Sequence, residues 1–449
     1  MQYLPTPDPA ELTRRFVGRE AVIGVVGMGY VGLPLTLAAT GAGFRVLGFD
    51  IDAPKVDGLN LGRSPLRHVG DAKVAAARER GLFEATADFS RLVEPDAILI
   101  CVPTPLGRHR EPDLSFVENT VACIARHLRR GQLVVLESTT YPGTTQELVK
   151  PMLEATGLMS GTDFFLAFSP EREDPGNPDF GTSRIPKVVG GDGEAALRLA
   201  CALYDRFVCR TVPVSGPAVA EAVKLTENIF RSVNIARVNE LKVVYTAMGI
   251  DVFEVVEAAK TKPFGYMAFY PGPGLGGHCI PIDPFYLTWK AQEYGVRTRF
   301  IELAGEVNHA MPAWVVGRLA EALDRRSGRG LNGAEILLVG LAYKRDVDDV
   351  RESPAFAVWE LLEARGALVS YHDPHVPEVP RTREHGGLAG RRSVALEPET
   401  LAGLDAAVVV TDHGAVDYRA LAAGVGLVVD TRDVMGRFAD GTGCEVVAA

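Results

Sequence analysis

The 449-residue sequence has few cysteines and lacks any closely spaced pair of them. Its six cysteines occupy positions 101, 123, 201, 209, 279 and 444, and no two form a Cys-x-x-Cys unit. This spacing favours free thiols in a reducing compartment over a disulfide framework or a zinc site. The N-terminus lacks the apolar run of a signal peptide, and no stretch is long enough to span a bilayer. We therefore expect a cytoplasmic protein of two or three domains.

The sequence also lacks an excess of positive charge. It contains 47 Lys and Arg against 57 Asp and Glu, which gives a formal net charge of −10. Nucleic acids and anionic membrane surfaces both need a basic face, so we expect neither as a partner. A local cationic pocket for a phosphorylated substrate remains compatible with this composition.

The first strand and helix predict a dinucleotide site. Residues 21–26 form an apolar, β-branched run that leads into a G-x-G-x-x-G loop and a helical stretch, and the next strand ends at Asp50. In this context the glycines allow a tight turn and a close approach of the pyrophosphate, and the acid accepts ribose hydroxyls. Asp50 would repel a 2′-phosphate, so NAD is favoured over NADP. The predicted cofactor contacts in the loop are Gly27, Met28, Gly29, Tyr30, Val31 and Gly32.

Further apolar runs at residues 97–102, 133–136 and 164–168 predict more strands of the same sheet. Ligands of open α/β sheets bind at the carboxyl ends of strands, so Thr104, Ser138 and Thr139 should border the cofactor. Glu171 follows the third run and should lie on the same rim, although a solvated acidic loop is the alternative.

Residues 218–248 contain neither proline nor glycine and carry apolar residues at helical spacing. This predicts a helix long enough to link two domains and to build the interface of a homodimer or larger homo-oligomer. Lys224 and Asn228 are spaced i, i+4 and share one face. They are either a solvated pair or two groups aimed at a developing oxyanion.

A second series of strand-like runs begins at residue 333. The charged loop 343–352 follows its first strand, and within it Lys344 and Arg351 are candidates for phosphate contacts, with a solvated charge run as the alternative. His372 and His375 do not predict a metal site, because a proline lies between them and other ligands are lacking. The expected fold is α/β: two Rossmann-like doubly wound domains (1–212 and 329–449), joined by the long central helix and a helical middle domain (213–328).

The loop from Pro271 to Asp283 contains four glycines and three prolines and presents Cys279. Glycine permits positive φ or close approach to a ligand, and proline stiffens the loop. The loop alone leaves Cys279 either as a small buried hydrophobe or as a nucleophile.

Taken in order, the motifs GMGYVGLPL, KLTEN, GPGLGGHCIPIDP and GLAYKRDVDDVRESP resemble the UDP-glucose/GDP-mannose dehydrogenase family over residues 20–440. The loop Gly-Gly-His-Cys-Ile-Pro-Ile-Asp-Pro-Phe-Tyr-Leu resembles the branch that acts on UDP-N-acetylhexosamines, especially UDP-N-acetylglucosamine, and differs from the Gly-Gly-Ser-Cys of UDP-glucose enzymes. UDP-N-acetylmannosamine enzymes share the His-Cys, here His278 and Cys279, and usually differ after it. The resemblance implies a four-electron oxidation of a sugar C6 alcohol to a carboxylate, with two NAD⁺ and one water, for surface polysaccharide synthesis such as O antigen or capsule.

The resemblance also assigns roles to individual residues. Cys279 is the nucleophile, Lys224 steadies the oxyanion, and Asn228 positions the sugar. Asp283 and Thr139 hold a water, and Glu171 assists thioester hydrolysis. Arg351 should contact the cofactor. The expected substrate contacts are Lys224, Asn228, Phe269, Tyr270, Gly274, Gly276, Tyr343 and Lys344. Glu173 and Asp174 depart from the family pattern and receive no role.

Three alternatives stay open. UDP-N-acetylmannosamine or UDP-glucose could be the substrate in place of UDP-N-acetylglucosamine. Tyr286 and Lys290 match the Tyr-x-x-x-Lys pair of short-chain dehydrogenase-type epimerases, although they lie far beyond the place where that fold puts the pair. A redox sensor that binds NAD without turnover is the non-enzymatic alternative.

Overall fold

The computed structural model describes residues 8–66, 69–107, 111–172, 183–277, 280–382 and 384–449. The chain divides into two compact units. Unit 1 comprises Met1–Glu227 and Phe285–Val296, and unit 2 comprises Asn228–Pro284 and Arg297–Ala449. Cys279, His278, Glu173 and Asp174 lie outside the described residues, so the predictions made for them are not addressed by the structure.

An eight-stranded sheet forms the centre of the described part of unit 1. Its strands are β1 (Val22–Val26), β2 (Arg45–Phe49), β3 (Phe83–Thr86), β4 (Ala97–Ile100), β5 (Leu133–Leu136), β6 (Phe165–Phe168), β7 (Lys187–Gly191) and β8 (Thr211–Val214). The spatial order is β3-β2-β1-β4-β5-β6-β7-β8. Strands β4, β5 and β6 are fully buried, as expected for parallel strands covered on both faces.

Helices cover both faces of this sheet. They are α1 (Pro9–Gly18), α2 (Gly32–Gly41), α3 (Ala53–Asn60), α4 (Asp71–Glu79), α5 (Ser115–His127), α6 (Lys150–Glu154) and α7 (Glu194–Tyr204). Shorter helical turns lie at Phe89–Val93 and Thr145–Val149. Helix α3 begins at Ala53, has Pro54 in its first turn and is capped by the Asp52 carboxylate, which accepts the backbone N–H of Lys55.

Four further helices follow unit 1's sheet along the chain. They are α8 (Pro217–Met248), α9 (Val252–Lys260), α10 (Asp283–Glu293) and α11 (Arg299–Ser327). Helix α8 begins at a proline and continues without interruption to Met248, as the sequence predicts, and the division between the units falls within it after Glu227. In the part of the chain that the structure describes, no helix has both the length and the apolarity needed to cross a bilayer.

Unit 2 contains a second parallel sheet. Its strands are β9 (Glu335–Val339), β10 (Leu368–His372), β11 (Ala406–Val409), β12 (Leu427–Asp430) and β13 (Glu445–Ala448), in the spatial order β10-β9-β11-β12-β13. Between these strands, along the chain, lie the helices α12 (Pro354–Ala364), α13 (Pro398–Ala402), α14 (Tyr418–Gly424) and α15 (Gly436–Ala439) and the turn Gly386–Leu388. The α/β class with two Rossmann-like sheets and a helical central region is confirmed. The domain limits at 212 and 328 stay a prediction.

One feature of unit 1's sheet was not expected. Strand β7 runs antiparallel to β6, with Ala167 opposite Gly191, and β8 then pairs parallel with β7 at the edge. Before β7, the structure describes the chain up to residue 172 and again from residue 183. The run Lys187–Gly191 is short and contains two glycines, so its apolar pattern is too weak to identify it as a strand.

Candidate active site

The glycine loop of unit 1 has the geometry of a dinucleotide cradle. Gly27 has φ +95°, and a Cβ there would lie 2.6 Å from the carbonyl oxygen of Cys101. A Cβ on Gly32 would lie 1.9 Å from the carbonyl oxygen of Gly27, so helix α2 can pack against the turn only with glycine at this position. A Cβ on Gly29 would meet no atom within 4 Å. The open side of Gly29, next to the N-terminus of α2, therefore suits a pyrophosphate.

Asp50 lies at the end of β2, where a ribose would be recognised. Its carboxylate accepts the backbone N–H of Met28 at 2.9 Å and is ion-paired with the Nζ of Lys55 at 2.8 Å. The side chain of Met28 is fully buried, so only its backbone is available to a cofactor. Sequence analysis missed Lys55, although its position one turn into the helix after Asp50 was a possible signal.

The other predicted rim residues follow β4 and β5. The Ser138 hydroxyl donates to the carbonyl of Val102 at 2.7 Å, which ties the ends of these two strands together. Thr104 is buried, and Thr139 is half-buried. Cys101 belongs to the core, and burial raises the pKa of its thiol. It is therefore a structural cysteine, as expected from its place in a strand.

Lys224 and Glu171 are adjacent in unit 1. The Nζ of Lys224 donates to the backbone carbonyl of Glu171 at 2.6 Å and lies 3.4 Å from its Oε2. Lys224 is 4% exposed, so its charge is held in a largely dehydrated place. The neighbouring Arg172 pairs with Glu227 at 2.5 Å, which fixes the same short loop against α8. The structure therefore brings together these two residues that the sequence suggested separately.

A pocket open to solvent extends from the end of the dinucleotide loop to Glu171. Its lining includes Val31, Leu35, Glu171 and Lys187. Lys187 donates to Glu137 at 2.6 Å. Burial raises the pKa of Glu137, although Lys187 and the hydroxyl of Tyr204 oppose the effect. Glu137, Lys187 and Tyr204 escaped sequence analysis because they come from the end of β5, from β7 and from α7, which are separated along the chain.

The pair Tyr286 and Lys290 has structural partners in unit 1. The Tyr286 hydroxyl donates to the carbonyl of Thr104, and the side chain is fully buried. Lys290 is ion-paired with Glu147 at 2.6 Å and with Glu293 at 2.7 Å. Both side chains therefore hold α10 against the rest of unit 1. This structural use argues against a catalytic pair of the short-chain dehydrogenase type.

In unit 2, Asn228 and Asp283 form a direct hydrogen bond. The Nδ2 of Asn228 donates to Oδ2 of Asp283, and the guanidinium of Arg231 donates to Oδ1 of Asn228. Asn228 is fully buried, and Asp283 is 2% exposed. The amide is therefore oriented by both neighbours, and Arg231, spaced i, i+3 from Asn228, is a contributor that sequence analysis missed.

The glycine-rich loop packs closely on the loop that follows β9. A Cβ on Gly276 would lie 2.6 Å from the Cβ of Tyr343, and one on Gly277 would lie 2.9 Å from its ring. The N–H of Gly277 donates to the carbonyl of Arg351 at 3.0 Å. Gly274 has φ +140°, and a Cβ placed there would lie 3.1 Å from the Cβ of Pro354. Close packing within unit 2, in addition to any ligand, thus accounts for these glycines.

The other predicted residues of unit 2 are Phe269, Tyr270, Arg351 and Lys344, and the first three contact neighbouring side chains. Phe269 packs edge-on against Phe230 with ring centroids 5.6 Å apart, and the Tyr270 hydroxyl donates to Glu257. Arg351 pairs with Asp349 at 2.6 Å, so a cofactor contact by Arg351 stays a prediction that would require it to share that partner. Lys344 is half-buried in the same loop.

Two buried asparagines anchor the start of the glycine-rich loop. Asn239 on α8 accepts the N–H of Gly272 at 2.9 Å and donates to Asn308 on α11 at 2.9 Å. Asn308 in turn donates to the carbonyl of Ser232 at 3.2 Å. Sequence analysis could not find this link, because an asparagine inside a helix carries no signal of a partner 69 residues away.

A histidine cluster lies beside the loop 343–352 in unit 2. Ligand atoms of Asp346, His375 and His413 lie within 4.8 Å of one another, whereas His372 turns its Nδ1 to the carbonyl of Val394. The two ring nitrogens of His413 are engaged by the Asp346 backbone N–H and by Asp373, each at 3.0 Å. His413 is therefore held by Asp346 and by Asp373, which lies outside the cluster.

The loop of unit 1 and the second doubly wound sheet of unit 2 define a protein with two nucleotide-binding folds. The chain matches three consecutive parts of one family: the NAD binding domain over residues 21–208, the central domain over 218–310 and the UDP binding domain over 337–437. It belongs to the UDP-glucose/GDP-mannose dehydrogenase family. The resemblance and the NAD prediction made from the sequence are thereby confirmed.

Relatives of this chain carry different sugar names. The chain is 35% identical over 393 residues to UDP-N-acetyl-D-mannosamine dehydrogenase of Pyrococcus horikoshii, covering 87% of this chain and 89% of that protein. It is 36% identical over 370 residues to UDP-N-acetyl-D-glucosamine 6-dehydrogenase of Pseudomonas aeruginosa, covering 82% and 86%. A solved structure of the Pyrococcus horikoshii UDP-D-ManNAc dehydrogenase superposes with a TM-score of 0.85 at 32% identity, covering 95% and 98%. The chain is a nucleotide-sugar dehydrogenase with an NAD-binding domain.

Proposed function

We propose that the protein oxidises the C6 hydroxyl of UDP-N-acetylglucosamine to the carboxylate. The observation that carries this proposal is the loop that begins at Pro271, which reads Gly-Gly-His-Cys-Ile-Pro-Ile-Asp-Pro-Phe-Tyr-Leu from Gly276 and is packed by its glycines on Tyr343 of the UDP binding domain. The similarity to a UDP-N-acetyl-D-glucosamine 6-dehydrogenase supports the same substrate. UDP-N-acetylmannosamine is the second candidate, because several relatives carry that name.

The overall reaction converts the alcohol, two NAD⁺ and one water into the carboxylate, two NADH and three protons. NAD⁺, when bound at the glycine loop, would supply the hydride acceptor for each of the two oxidations. The second oxidation is difficult from a free aldehyde, because the aldehyde carbon carries no alkoxide oxygen whose negative charge could drive a hydride from that carbon. Addition of the Cys279 thiolate to the aldehyde would give a thiohemiacetal, whose oxidation leaves a thioester for water to cleave.

In unit 1, we assign the charge-stabilising role to Lys224. Its buried ammonium is positioned by the carbonyl of Glu171 and can stabilise an oxygen that becomes negative. Glu171 assists hydrolysis of the thioester by guiding the water, and the pocket that it lines offers a place for that water. Thr139 is assigned to a water that helps to move the first proton.

In unit 2, Asn228 is assigned to position the sugar. Its hydrogen bonds to Asp283 and Arg231 support this role, because an amide held on both sides presents a fixed orientation. Asp283 is assigned to receive the first proton through water. Lys344 and the backbone of the glycine-rich loop are assigned to the nucleotide. A homodimer formed through α8, a cytoplasmic location and a product used for surface polysaccharides complete the proposal.

The test is NADH formation by the purified protein with a panel of UDP-sugars. We expect the highest kcat/KM with UDP-N-acetylglucosamine and two NADH per sugar consumed. UDP-N-acetylmannosamine, UDP-N-acetylgalactosamine and UDP-glucose are the comparison substrates. A higher kcat/KM with UDP-N-acetylmannosamine would move the assignment to the second candidate, and sugar turnover without net NADH would reject an oxidation.

The covalent step has its own test in Cys279→Ser. Without the thiol, we expect turnover to stop at the first oxidation or to trap an adduct, with the steady-state rate reduced by at least about 100-fold. Cys101→Ser is a control for the loss of a thiol in the core. Full steady-state turnover by Cys279→Ser would contradict the covalent mechanism, and an NAD-binding sensor would show no turnover in the wild type.

A further inference from the structure

A buried lysine of unit 2 has no hydrogen-bond partner in the part of the chain that the structure describes. Lys242 lies on α8, is 1% exposed, and its Nζ meets no acceptor there. The ring of Trp314 lies below the ammonium, with its centroid 5.2 Å away. A cation–π contact offsets only part of the free energy lost when an ammonium leaves water. A buried lysine of this kind is either neutral or paired with the negative charge of a bound ligand.

A second cation lies near Lys242. Arg432 follows β12 in the region that matches the UDP binding domain, and its Nε donates to the carbonyl of Val410 at 2.9 Å. Two acids, Asp412 and Asp430, act on Arg432 through their charge, but neither forms an ion pair with it. Both oxygens of Asp430 accept backbone N–H groups, those of Arg432 at 2.9 Å and of Met435 at 2.7 Å. Within the described residues, no carboxylate forms an ion pair with either cation.

The glycine-rich loop approaches these two cations through Gly272. A Cβ placed on Gly272 would lie 2.7 Å from Nη1 of Arg432, so the absence of a side chain leaves the guanidinium facing the loop. The N–H of Gly272 is held by Asn239, which precedes Lys242 on α8 by three residues. Positions i and i+3 of a helix are neighbours on its surface, so Lys242 lies on the face of α8 that anchors this loop.

We infer that Lys242 and Arg432 form an anion-binding site in unit 2, and that Lys242 is a further substrate-binding residue for the diphosphate of the nucleotide sugar. This inference rests on the proposed function. A diphosphate supplies several oxygen acceptors and enough negative charge for both cations. The UDP binding domain places a ligand with this group in the same unit.

The titration of Lys242 gives the site a measurable signature. Burial lowers the pKa of Lys242 to about 7, repulsion from Arg432 acts in the same direction, and Asp430 opposes both. At pH 8 the free protein therefore holds this amine mostly neutral. A bound diphosphate favours the ammonium, so binding should take up close to one proton from the buffer.

The experiment is calorimetric titration of the full-length protein with UDP at pH 8 in two buffers of different ionisation enthalpy. We expect the wild type to take up a proton, and Lys242→Met to bind UDP without uptake and about 10- to 100-fold more weakly. The affinity for NAD⁺ should not change. The matched control is Lys262→Met, which removes an exposed lysine that also lies over an aromatic ring, that of Phe264. It should leave UDP affinity and proton uptake unchanged.

The stability of Lys242→Met separates a binding role from a structural one. Removal of a buried, unpaired ammonium should raise the melting temperature of the free protein, most clearly below pH 7, where Lys242 is charged in both the folded and unfolded states. Higher stability together with weaker UDP binding supports the inference. Unchanged UDP affinity and proton uptake in the variant would overturn it.

Two further outcomes would show whether the proposed function or the assigned ligand is wrong. If the wild type binds no UDP, the proposed function fails and the ligand assigned to this site fails with it. If inorganic phosphate binds as tightly as UDP, with the same proton uptake, the site takes free phosphate and the assignment to the nucleotide sugar is wrong. Should Lys242→Met fail to fold, proton uptake by the wild type decides alone, because absence of uptake contradicts the inference.

Discussion

Asp50 and Lys55 together determine the charge that a cofactor ribose meets. Asp50 accepts the N–H of Met28 and is paired with Lys55 at 2.8 Å, so the acid is held in place while the lysine is neutralised. A ribose hydroxyl can donate to this carboxylate, whereas a 2′-phosphate would be repelled by it. The expected preference for NAD therefore depends on Asp50, whose carboxylate neutralises the ammonium of Lys55.

This arrangement predicts the result of exchanging Asp50 for serine. In Asp50→Ser the ammonium of Lys55 becomes available to a 2′-phosphate, so kcat/KM should fall for NAD⁺ and rise for NADP⁺. We expect their ratio to shift by about 10- to 100-fold, the value of one or two charge-assisted hydrogen bonds. The control is Asp50→Ser/Lys55→Met, which should lose the gain with NADP⁺. An unchanged ratio in the single variant would contradict this account.

Asp373 in unit 2 is a second buried acid after a second strand. Its carboxylate accepts the N–H groups of Leu341 at 2.6 Å and Ala342 at 3.0 Å and contacts His413 at 3.0 Å. Burial by itself raises the pKa of Asp373, but His413 and these donors outweigh it and bring the pKa to about 2, below the ordinary 3.8. Because the folded-state pKa is the lower one, Asp373 stabilises the fold above pH 4 and loses this contribution between pH 4 and 2.

The corresponding prediction concerns Asp373→Asn. A pKa difference of nearly two units amounts to about 2 kcal/mol of unfolding free energy at neutral pH. We expect the variant to be less stable than the wild type by at least this amount at pH 7, and the difference to shrink as the pH falls below 4. Denaturant unfolding at pH 7, 5, 4 and 3 measures it. Exposed Asp440→Asn should stay within about 0.5 kcal/mol of the wild type, and a pH-independent difference for Asp373→Asn would refute the linkage.

At the scale of elements, the glycine-rich loop is shaped by the loop that follows β9. A Cβ on Gly276 would meet the Cβ of Tyr343 at 2.6 Å and the carbonyl of Glu352 at 3.1 Å. Neither partner is the free end of a flexible side chain, so the loop itself would have to move. Cys279 follows three residues later, and a displacement of about 1 Å at a reacting group can cost about 100-fold in rate.

Gly276→Ala should therefore lower kcat strongly while lowering stability only moderately. We expect kcat to fall by about 100-fold and the free energy of unfolding to fall by about 1–3 kcal/mol, as for an overpacked contact. Gly317→Ala is the matched control within unit 2, because its Cβ would meet no atom within 4 Å in the middle of α11. This control should gain up to about 1 kcal/mol. Near-normal turnover by Gly276→Ala would show that the loop tolerates a shift.

The elements that sequence analysis predicted are those with a strong local signal. Buried strands such as β4 and β11 are short apolar runs, and α8 has helical periodicity with no breaker. Strand β7 has neither signal, and its antiparallel direction is visible only in its pairing with β6. Among site residues, Lys224 and Asn228 were found because they share one helix face. Lys55, Arg231 and Lys242 were missed, because what distinguishes each of them is a partner, or the lack of one, in the folded chain.

At the scale of the whole molecule, each unit has its own sheet, its own hydrophobic core and its own nucleotide-binding domain. The cofactor loop and Asp50 belong to unit 1, and the loop 343–352 and Arg432 belong to unit 2. A ligand that binds only the folded form of a region raises the free energy of opening that region. The two nucleotides should therefore protect different parts of the chain.

Hydrogen exchange measured by mass spectrometry tests this division. With NAD⁺ alone we expect the largest gain in protection in residues 22–50, and with UDP alone in residues 269–277 and 335–354, because the backbone N–H groups of these loops become less free to open. Asp50→Ala should remove the protection given by NAD⁺ and leave that given by UDP. If UDP instead protected residues 22–50 as strongly as unit 2, the nucleotide sugar would not be bound chiefly by the UDP binding domain, and the roles assigned to its residues would have to be revised.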